Sequence, residues 1–497
     1  MPFLVDSVSM EVVRQGWQLR EILHPQFLVR RDRDGALLGI AGADEADSRQ
    51  TLAESWIQVE AQPGLGAGAG AYAELEQGLR DVVHLVSVSV GDWPAMVTRM
   101  EETVRILQEE PVPYTFSQVR SAMELLTWLG DGRFTFLGYR EYALTGNGSE
   151  VRLEPVAGTG LGVLRAEDPP GTFHALPNTT KKPSLVLITK DTRRSRIHRP
   201  AYLDYIGVRL FDGAGAVVGE RRFLGLFASG VYTTSVAEIP GLKDKVAEVL
   251  HHSGYSPASH GSKAILATLE SFPRDDLFQV RSEDLAPMVE SMSQLRERRQ
   301  VRLFLRPDFY DRFVSCLVYL PRDRYITSVR LAIEHILMQR LGGESVSYSA
   351  RSTESVLARL HFIVRMPDGS RPPEVDVREM EAELAKVVES WDDQFYDFAS
   401  GDSELTRLHS LAQALPEGYK ADFAPRHAVL DILELTTLEG SGDMGLVLYV
   451  PNDIDDRADM RLKVFRRDAV MSLSDVLPHL SLLGVTVIDE RPYELDL

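Results

Sequence analysis

The chain has 497 residues and a formal net charge of −19. At ~100–200 residues per domain this predicts three to five domains and a core that needs no metal or disulfide staples. The acidic balance repels phosphate backbones, which excludes nucleic acid as a default partner. A single cysteine excludes a disulfide framework and any Cys-rich zinc or iron–sulfur site. No run approaches the ~18 uninterrupted apolar residues of a membrane span. The opening MPFLVDSVSM lacks the basic region of a signal peptide, so the composition reads as a cytoplasmic, multi-domain protein.

The first block, residues 1–110, opens on a short helix in which Val8, Val12 and Val13 share a face, stopped by Gly16. Strand-like runs Glu21–Arg31 and Ser55–Glu60 follow, then two helical segments, Tyr72–Leu85 and Trp93–Gln108. The second block, 114–282, begins with a helix carrying Val119, Met123, Leu126 and Leu129. Short strands then run through Phe134–Tyr142, Val151–Pro155, Leu185–Thr189, Ile206–Phe211 and Val217–Phe227, with Phe211-Asp212-Gly213 as a hairpin signal. Helices Lys243–Leu250 and Lys263–Ser271 close it. A helix, a five-strand antiparallel meander and helices predict an α+β domain of PAS type.

The third block, 283–400, reads helix (Leu285–Arg298), strands (Val301–Leu305, Phe313–Leu320), helix (Ser328–Leu341), strands (Val346–Ser349, Leu360–Val364) and helix (Val377–Trp391). Cys316 shares one strand face with Val314, Val318 and Leu320, so it is read as core and not as a reactive thiol. A helical spacer at 401–427, read through Glu404–Leu415, leads to the fourth block, 428–497. That block has strands Gly445–Val450 and Leu462–Phe465, helix Ser472–Leu483 and strand Val485–Ile488, with Ser472 and Asp475 as a capping box. Blocks three and four share a plan: a strand ends in Arg322-Asp323 or Arg467-Asp468, a helix follows, and Gly342 or Gly484 ends it before another strand. Block one carries a shortened version at Asp6-Ser7. The fold class is therefore α+β, with tandem ferredoxin-like modules around a PAS-like antiparallel domain and helical linkers.

Motifs with direct chemistry are few. The run Gly66–Ala71 fits a loose dinucleotide fingerprint, yet it is low-complexity Gly/Ala and no parallel strand–helix–strand unit continues it. Gly158-Thr-Gly160-Leu-Gly162 lacks the Lys and Ser/Thr of a P-loop. His251, His252 and His260 lack metal-ligand spacing, and Asp453-Ile-Asp455-Asp456 lacks the glycine and terminal glutamate of a calcium loop. The basic stretch Arg193–Arg199 is dense enough for an anion, but charged strand edges are common, and Arg296–Arg299 suits a helix C-terminus. No catalytic, cofactor or metal residue is assigned. A regulatory or assembly protein leads, with an enzyme of unrecognised site behind it.

Seven segments resemble the N-terminal region of the large bacterial NAD-dependent glutamate dehydrogenases. They are His24–Asp32, Arg133–Arg140, Gly158–Gly162, His198–Gly207, Gly219–Gly225, Phe272–Phe278 and Cys316–Asp323. The resemblance implies ACT-type regulatory modules at 1–110 (truncated), 283–400 and 428–497 (partial), with a PAS-like domain between the first two. It implies that the reaction, L-glutamate, NAD and water to 2-oxoglutarate, ammonia and NADH, belongs to a catalytic region outside this chain. No catalytic lysine motif or dinucleotide unit follows, so the chain reads as a non-catalytic fragment, with NAD expected only in the absent region. The implied partners are the chain itself (a homotetramer for full-length proteins), the C-terminal catalytic region and a free amino acid as effector. ACT-type ligands sit near the loop between the first strand and first helix, which points to Arg322, Asp323 and Thr327, to Arg467, Asp468 and Ser472, and to Asp6 and Ser7. A purely structural assembly role, with those residues capping helices, is the alternative.

Overall fold

The computed structural model describes residues 1–42, 51–64, 68, 70–146, 152–165, 174–175, 184–256, 259–297, 300–351, 356–399, 409–449, 461–468 and 471–495. They form two compact units, residues 1–319 with 337–377 and residues 320–336 with 378–497.

Helix α1 (Leu4–Arg14) turns Ser7, Val8, Glu11 and Val12 inward. Val13, expected among them, is exposed, because one further step of 100° carries it past the buried edge. The predicted run Glu21–Arg31 divides into β1 (Gln18–Leu23) and β2 (Gln26–Arg31). The break falls at His24-Pro25, where proline has no N–H for a ladder and the chain changes neighbours. Strand β2 takes β3 (Leu37–Ile40) and β4 (Leu52–Ser55) on its two sides, whereas β1 pairs with β5 (Gln58–Gln62).

The two expected helices are one, α2 (Ala71–Glu109), with Pro94 inside it. Its buried positions Gly78, Val82, Val86, Ser89, Asp92, Met96, Met100, Thr103 and Leu107 keep three-and-four spacing straight through the proline. Burial of that stripe outweighs one lost backbone hydrogen bond. Helix α3 (Phe116–Trp128) starts on a capping box in which Thr115 and Gln118 satisfy each other's backbone.

A seven-stranded antiparallel sheet follows, built from β6 (Phe134–Thr145), β7 (Arg152–Pro155), β8 (Leu161–Gly162), β9 (His174–Ala175), β10 (Val186–Arg194), β11 (Tyr202–Phe211) and β12 (Val217–Phe227). Its order is β10-β11-β12-β6-β7-β9, with β8 on β6. The expected meander is corrected here, since the first and last long strands pair in the middle, Phe134 opposite Phe227 and Ala143 opposite Gly219. Aromatic residues of β6 and β12 meet Leu125, Leu126 and Leu129 in the main core. Helices α4 (Ser229–Thr233), α5 (Leu242–His252), α6 (His260–Ser271), α7 (Arg274–Gln279) and α8 (Ser282–Ser293) enclose a second core around Leu242, Leu269, Leu277 and Leu285.

A four-stranded sheet contains β13 (Arg302–Pro307), β14 (Phe313–Pro321), β15 (Ser345–Arg351) and β16 (Leu357–Arg365), in the order β13-β14-β16-β15. Helix α9 (Thr327–Leu341) links β14 to β15. The edge beside β14 is taken by β13, which precedes it in a hairpin. Strand β14 is buried on both faces, and burial pushes the Cys316 thiol far up, so this residue is core as expected.

The second unit runs through α10 (Val377–Val388), α11 (Trp391–Ala399), α12 (His409–Gln413), α13 (Glu417–Asp422), α14 (Pro425–Thr436), β17 (Met444–Tyr449), β18 (Arg461–Arg466) and α15 (Leu473–Leu482). Its core gathers Phe395, Ala412, Leu415, Tyr419, Ala428 and Ile432, with Trp391 stacked 5.6 Å from Phe395. Of the expected spacer, 401–408 lie outside the described residues. Two expectations fail at the end of the chain. Val485–Ile488 forms no strand, and Ser472 precedes α15 without a side-chain cap bond. No residue of α15 is buried, and the segment after it finds no ladder partner among the described residues. Gly342 (φ 65°) and Gly484 (φ 77°) do end their helices in the left-handed conformation. Among the described residues, no helix is long and apolar enough to cross a membrane.

Candidate functional site

The residues singled out for effector binding fall into three environments. Asp6 and Ser7 lie in the first turns of α1. The Ser7 hydroxyl donates to Phe3 O (2.5 Å) and accepts from the His198 N–H (3.1 Å), so it fastens the helix to the segment before β11. Asp6 stands 3.8 Å from His198 Nδ1, whose ring packs on Phe3. Arg322 and Asp323 occupy an exposed single turn after β14, and Thr327 opens α9. Arg324, which the sequence reading passed over, stands 3.8 Å from Asp323 and donates to Asp393 at 2.9 Å. In the second unit Arg467 donates to the carbonyls of Leu438 (2.8 Å) and Glu439 (3.2 Å), which closes the turn leading into β17. Asp468 beside it takes a left-handed φ of 54°, and Ser472 is exposed.

The basic stretch Arg193–Arg199 is tied into the fold, with Arg196 also lining a cavity beside α1 and α2. Arg193 pairs with Asp191 (2.9 Å), Arg196 with Glu11 (3.1 Å), and Arg199 donates to Phe227 O (2.8 Å). The glycine loop is likewise structural. Gly162 donates to Asp92 at 2.8 Å and holds φ at 58°, and a Cβ there would collide with the Leu137 carbonyl. Of the Gly66–Ala71 run, Gly66, Ala67 and Ala69 lie outside the described residues, as do Asp453, Asp455, Asp456, Arg298 and Arg299. Among the described residues no group of three His, Cys, Asp or Glu is placed to hold a metal.

What sequence reasoning missed is a buried polar framework inside the quoted motifs. Glu220 is fully buried on β12 and accepts from Arg222 Nε and Nη2, both at 3.2 Å, and from the Tyr205 hydroxyl. Arg209 Nη1 stands 3.4 Å from its other oxygen. The Arg222 guanidinium lies 3.8 Å over the Tyr142 ring and 4.6 Å from Tyr205. Burial works against that cation, but Tyr205 and Glu220 hold it protonated. Gly207 makes the room, since a Cβ there would lie 2.8 Å from the Glu220 carboxyl.

Lys190 forms the next link, between Asp204 and Asp275 (3.2 Å); its burial is outweighed by the two carboxylates, which hold it charged. Asp308 accepts from Thr189 (2.5 Å) and Arg312 (2.8 Å), which joins β10 to the β13–β14 hairpin. Asp276 on α7 gathers Arg306, Ser315 (2.6 Å) and His361 (3.4 Å) from three strands of the four-stranded sheet. Burial would raise the Asp276 carboxyl, but Arg306, His361 and Ser315 together hold it well below the usual range.

A serine, a histidine and an aspartate in contact invite a nucleophile reading. However, Ser315 donates directly to Asp276, and both oxygens converge on the same His361 nitrogen, at 2.9 and 3.4 Å. The aspartate therefore shares the serine's side of the imidazole, and not the far nitrogen from which a triad carboxylate orients its base. The cluster works as a clamp between sheet and helix. The signal for it was present: charged residues inside apolar strands, as in Tyr-Leu-Asp204-Tyr-Ile-Gly207 and Gly219-Glu-Arg-Arg222-Phe-Leu, require buried partners.

Comparison with known proteins accounts for these motifs. Family models match for the glutamate dehydrogenase ACT1 domain at residues 1–67, helical motif 1 at 239–298, the ACT2 domain at 302–392, helical motif 2 at 399–438 and the ACT3 domain at 443–497. The NAD-specific glutamate dehydrogenase of Halomonas elongata is 36% identical over 511 aligned positions, covering 100% of this chain and 31% of that protein. Those of Pseudomonas aeruginosa and Mycobacterium tuberculosis are 35% and 32% identical, covering 100% and 99% of this chain and 31% and 30% of theirs. The chain belongs to the family of large NAD-specific glutamate dehydrogenases. It matches their ACT-containing N-terminal region and spans about a third of the length of these relatives. Within the family match, α5–α8 fall in helical motif 1, and the β13–β16 sheet falls in ACT2. The seven-stranded sheet lies between the ACT1 and helical motif 1 matches.

Proposed function

We propose that this chain is the regulatory and assembly region of an NAD-dependent glutamate dehydrogenase acting in the cytoplasm. In this reading the oxidation of L-glutamate by NAD and water, giving 2-oxoglutarate, ammonia and NADH, is carried by a catalytic region outside the chain. The observation that carries the proposal is the succession of three ACT-domain matches along one α+β chain. One or more modules bind a small amino acid as effector, with Arg322, Asp323 and Thr327 as the leading set in ACT2. Arg467, Asp468, Ser472, Asp6 and Ser7 are the corresponding sets in the other modules. The exposed acidic and basic pair at the start of α9 supports this, because a helix N-terminus with a nearby guanidinium suits a carboxylate. The antiparallel sheet whose first and last strands pair at its centre, flanked by a hairpin on each side, supports the PAS-type reading of the intervening domain.

Self-association is the second part of the proposal, with a homotetramer for the full-length protein. Strands β17 and β18 pair only with each other among the described residues, and Met444, Leu446 and Leu448 on β17 are 57, 56 and 60% exposed. Two experiments test the reading. A calorimetric screen of the twenty amino acids is expected to find a ligand whose binding Arg322→Ala with Asp323→Ala weakens; no heat at millimolar ligand leaves assembly alone. Light scattering is expected to find oligomers that Leu446→Ser with Leu448→Ser dissociates; a strict monomer at high concentration refutes self-association by this region.

A further inference from the structure

Between the last turn of α1, the first half of α2 and the segment joining β10 to β11 lies an open cavity of about 440 Å³. That volume is within the range of small-ligand sites, ~300–1,000 Å³. Behind its lining residues Arg14, Gly78 and Arg196 lies Glu11, 1% exposed at the side chain. The Glu11 carboxylate accepts from Arg14 Nε (2.8 Å) and Nη2 (2.6 Å) and pairs with Arg196 Nη2 at 3.1 Å. One buried anion thus fixes two guanidiniums side by side at the cavity wall. Gly78 makes the arrangement possible. A Cβ there would collide with the Glu11 carboxylate, and the Gly78 carbonyl accepts from Arg196 at 3.1 Å.

The opposite charge is supplied by α2 itself. Glu74 precedes Gly78 by four residues and Asp81 follows it by three, so both carboxylates share the Gly78 face, each about one turn (~5 Å) away along the axis. Both are exposed. Asp81 accepts the Gln77 amide at 2.8 Å and keeps its remaining lone pairs for a ligand. The cavity wall therefore carries two guanidiniums, Arg14 and Arg196, together with two carboxylates, Glu74 and Asp81. Groups of both signs on one small wall suit a molecule that carries a carboxylate and an ammonium together, each held by charge-assisted hydrogen bonds.

We propose that this cavity binds a zwitterionic α-amino acid, Arg14 and Arg196 taking its carboxylate and Asp81, with Glu74, its ammonium. The inference rests on the effector reading above and assigns it a site separate from the Arg322–Thr327 turn. A ligand here touches α1, α2 and the strand connection of the seven-stranded sheet together, so its occupancy reports to all three.

The test is calorimetry on the whole chain with L-alanine, L-aspartate and L-lysine, which share the two α groups and differ in the rest, and with N-acetyl-L-alanine, which lacks the ammonium. At least one free amino acid binds, its acetylated form does not, and Asp81→Asn and Arg196→Met each weaken binding tenfold or more. Asp81 is exposed, so Asp81→Asn decides the matter if Arg196→Met lowers the melting temperature. Binding unchanged in Asp81→Asn overturns this site. Binding lost in Arg322→Ala/Asp323→Ala but intact in Asp81→Asn returns the effector to the ACT2 turn and keeps the functional reading. No heat from any of the three at millimolar concentration overturns both.

Discussion

Replacing Glu220 by glutamine removes one negative charge from the centre of the seven-stranded sheet and leaves the side-chain volume almost unchanged. Glu220 and Arg222 are wholly buried and Arg209 is 2% exposed, so two guanidiniums lose their shared counter-charge with no water to replace it. Breaking a buried ion pair by deleting one partner costs about 3–5 kcal/mol. The glutamine oxygen still accepts from Tyr205, which spares the further ~1 kcal/mol of an orphaned hydroxyl. Against a domain stability of ~5–15 kcal/mol, the variant loses a large fraction of its margin. Urea unfolding followed by near-ultraviolet circular dichroism reads this as a lower midpoint at unchanged slope. Two comparisons separate charge from packing. Glu76→Gln, which breaks the exposed Arg80 pair on α2, changes stability by less than about 0.5 kcal/mol. Replacing Glu220, Arg209 and Arg222 together by methionine recovers most of the loss, because no uncompensated charge remains. A loss below about 1 kcal/mol for Glu220→Gln refutes the reasoning, since it requires water or another anion beside Arg222.

Three further outcomes follow from the packing. Gly162→Ala forces a side chain into left-handed backbone against the Leu137 carbonyl, costing at least ~1–2 kcal/mol and visible as a lower melting temperature; an unchanged melt contradicts the β6–β8 contact. Asp276→Asn removes the carboxylate that Arg306, Ser315 and His361 share. The folded pKa of Asp276 lies below its unfolded value, so its contribution is present above about pH 4 and is lost as pH falls through the folded value. The variant is therefore expected to be less stable at pH 7 and to show a flatter acid-denaturation curve below pH 4; parallel curves for the two proteins contradict the assignment. Phe395→Ala opens a cavity under Trp391 and costs about 3–5 kcal/mol in the second unit. Limited proteolysis then cuts within 378–495 while 1–319 persists, and equal protection of both disproves the division into separate cores.

Periodicity carried the sequence reading wherever one face of an element is apolar. Strand Val217–Phe227 has the same limits in sequence and structure, and the helix expected at Ser328–Leu341 is one residue longer. The misreadings occur where a distant contact overrules a local signal. The reading leaves a gap between Leu85 and Trp93, just ahead of Pro94, yet Val86, Ser89, Asp92, Met96 and Met100 are buried along one stripe, and their burial carries α2 through it. Val485–Ile488 has strand composition but no partner among the described residues, and a strand without a ladder leaves its backbone to water. Ser472 has cap chemistry, although its hydroxyl makes no bond to α15.

The candidate site shows the same division in sharper form. Arg322 and Arg467 look equivalent in sequence, each followed by aspartate and a helix, but Arg467 closes the turn into β17 through the Leu438 and Glu439 carbonyls, and Arg322 lies in a single turn between β14 and α9. Glu11, Arg14, Gly78, Asp81 and Arg196 are spread over nearly two hundred positions and share no motif, so no reading along the chain could assemble them. The glycine is a local hint, because a glycine in the interior of a 39-residue helix costs ~1 kcal/mol against alanine. That cost is tolerated where other groups must approach the backbone closely, and here they are the Gln15 amide and the Glu11 carboxylate. Gly78→Ala consequently does more than raise helix propensity. It pushes Glu11 away, separates Arg14 from Arg196 and is expected to abolish amino-acid binding at the cavity while α2 stays helical by circular dichroism.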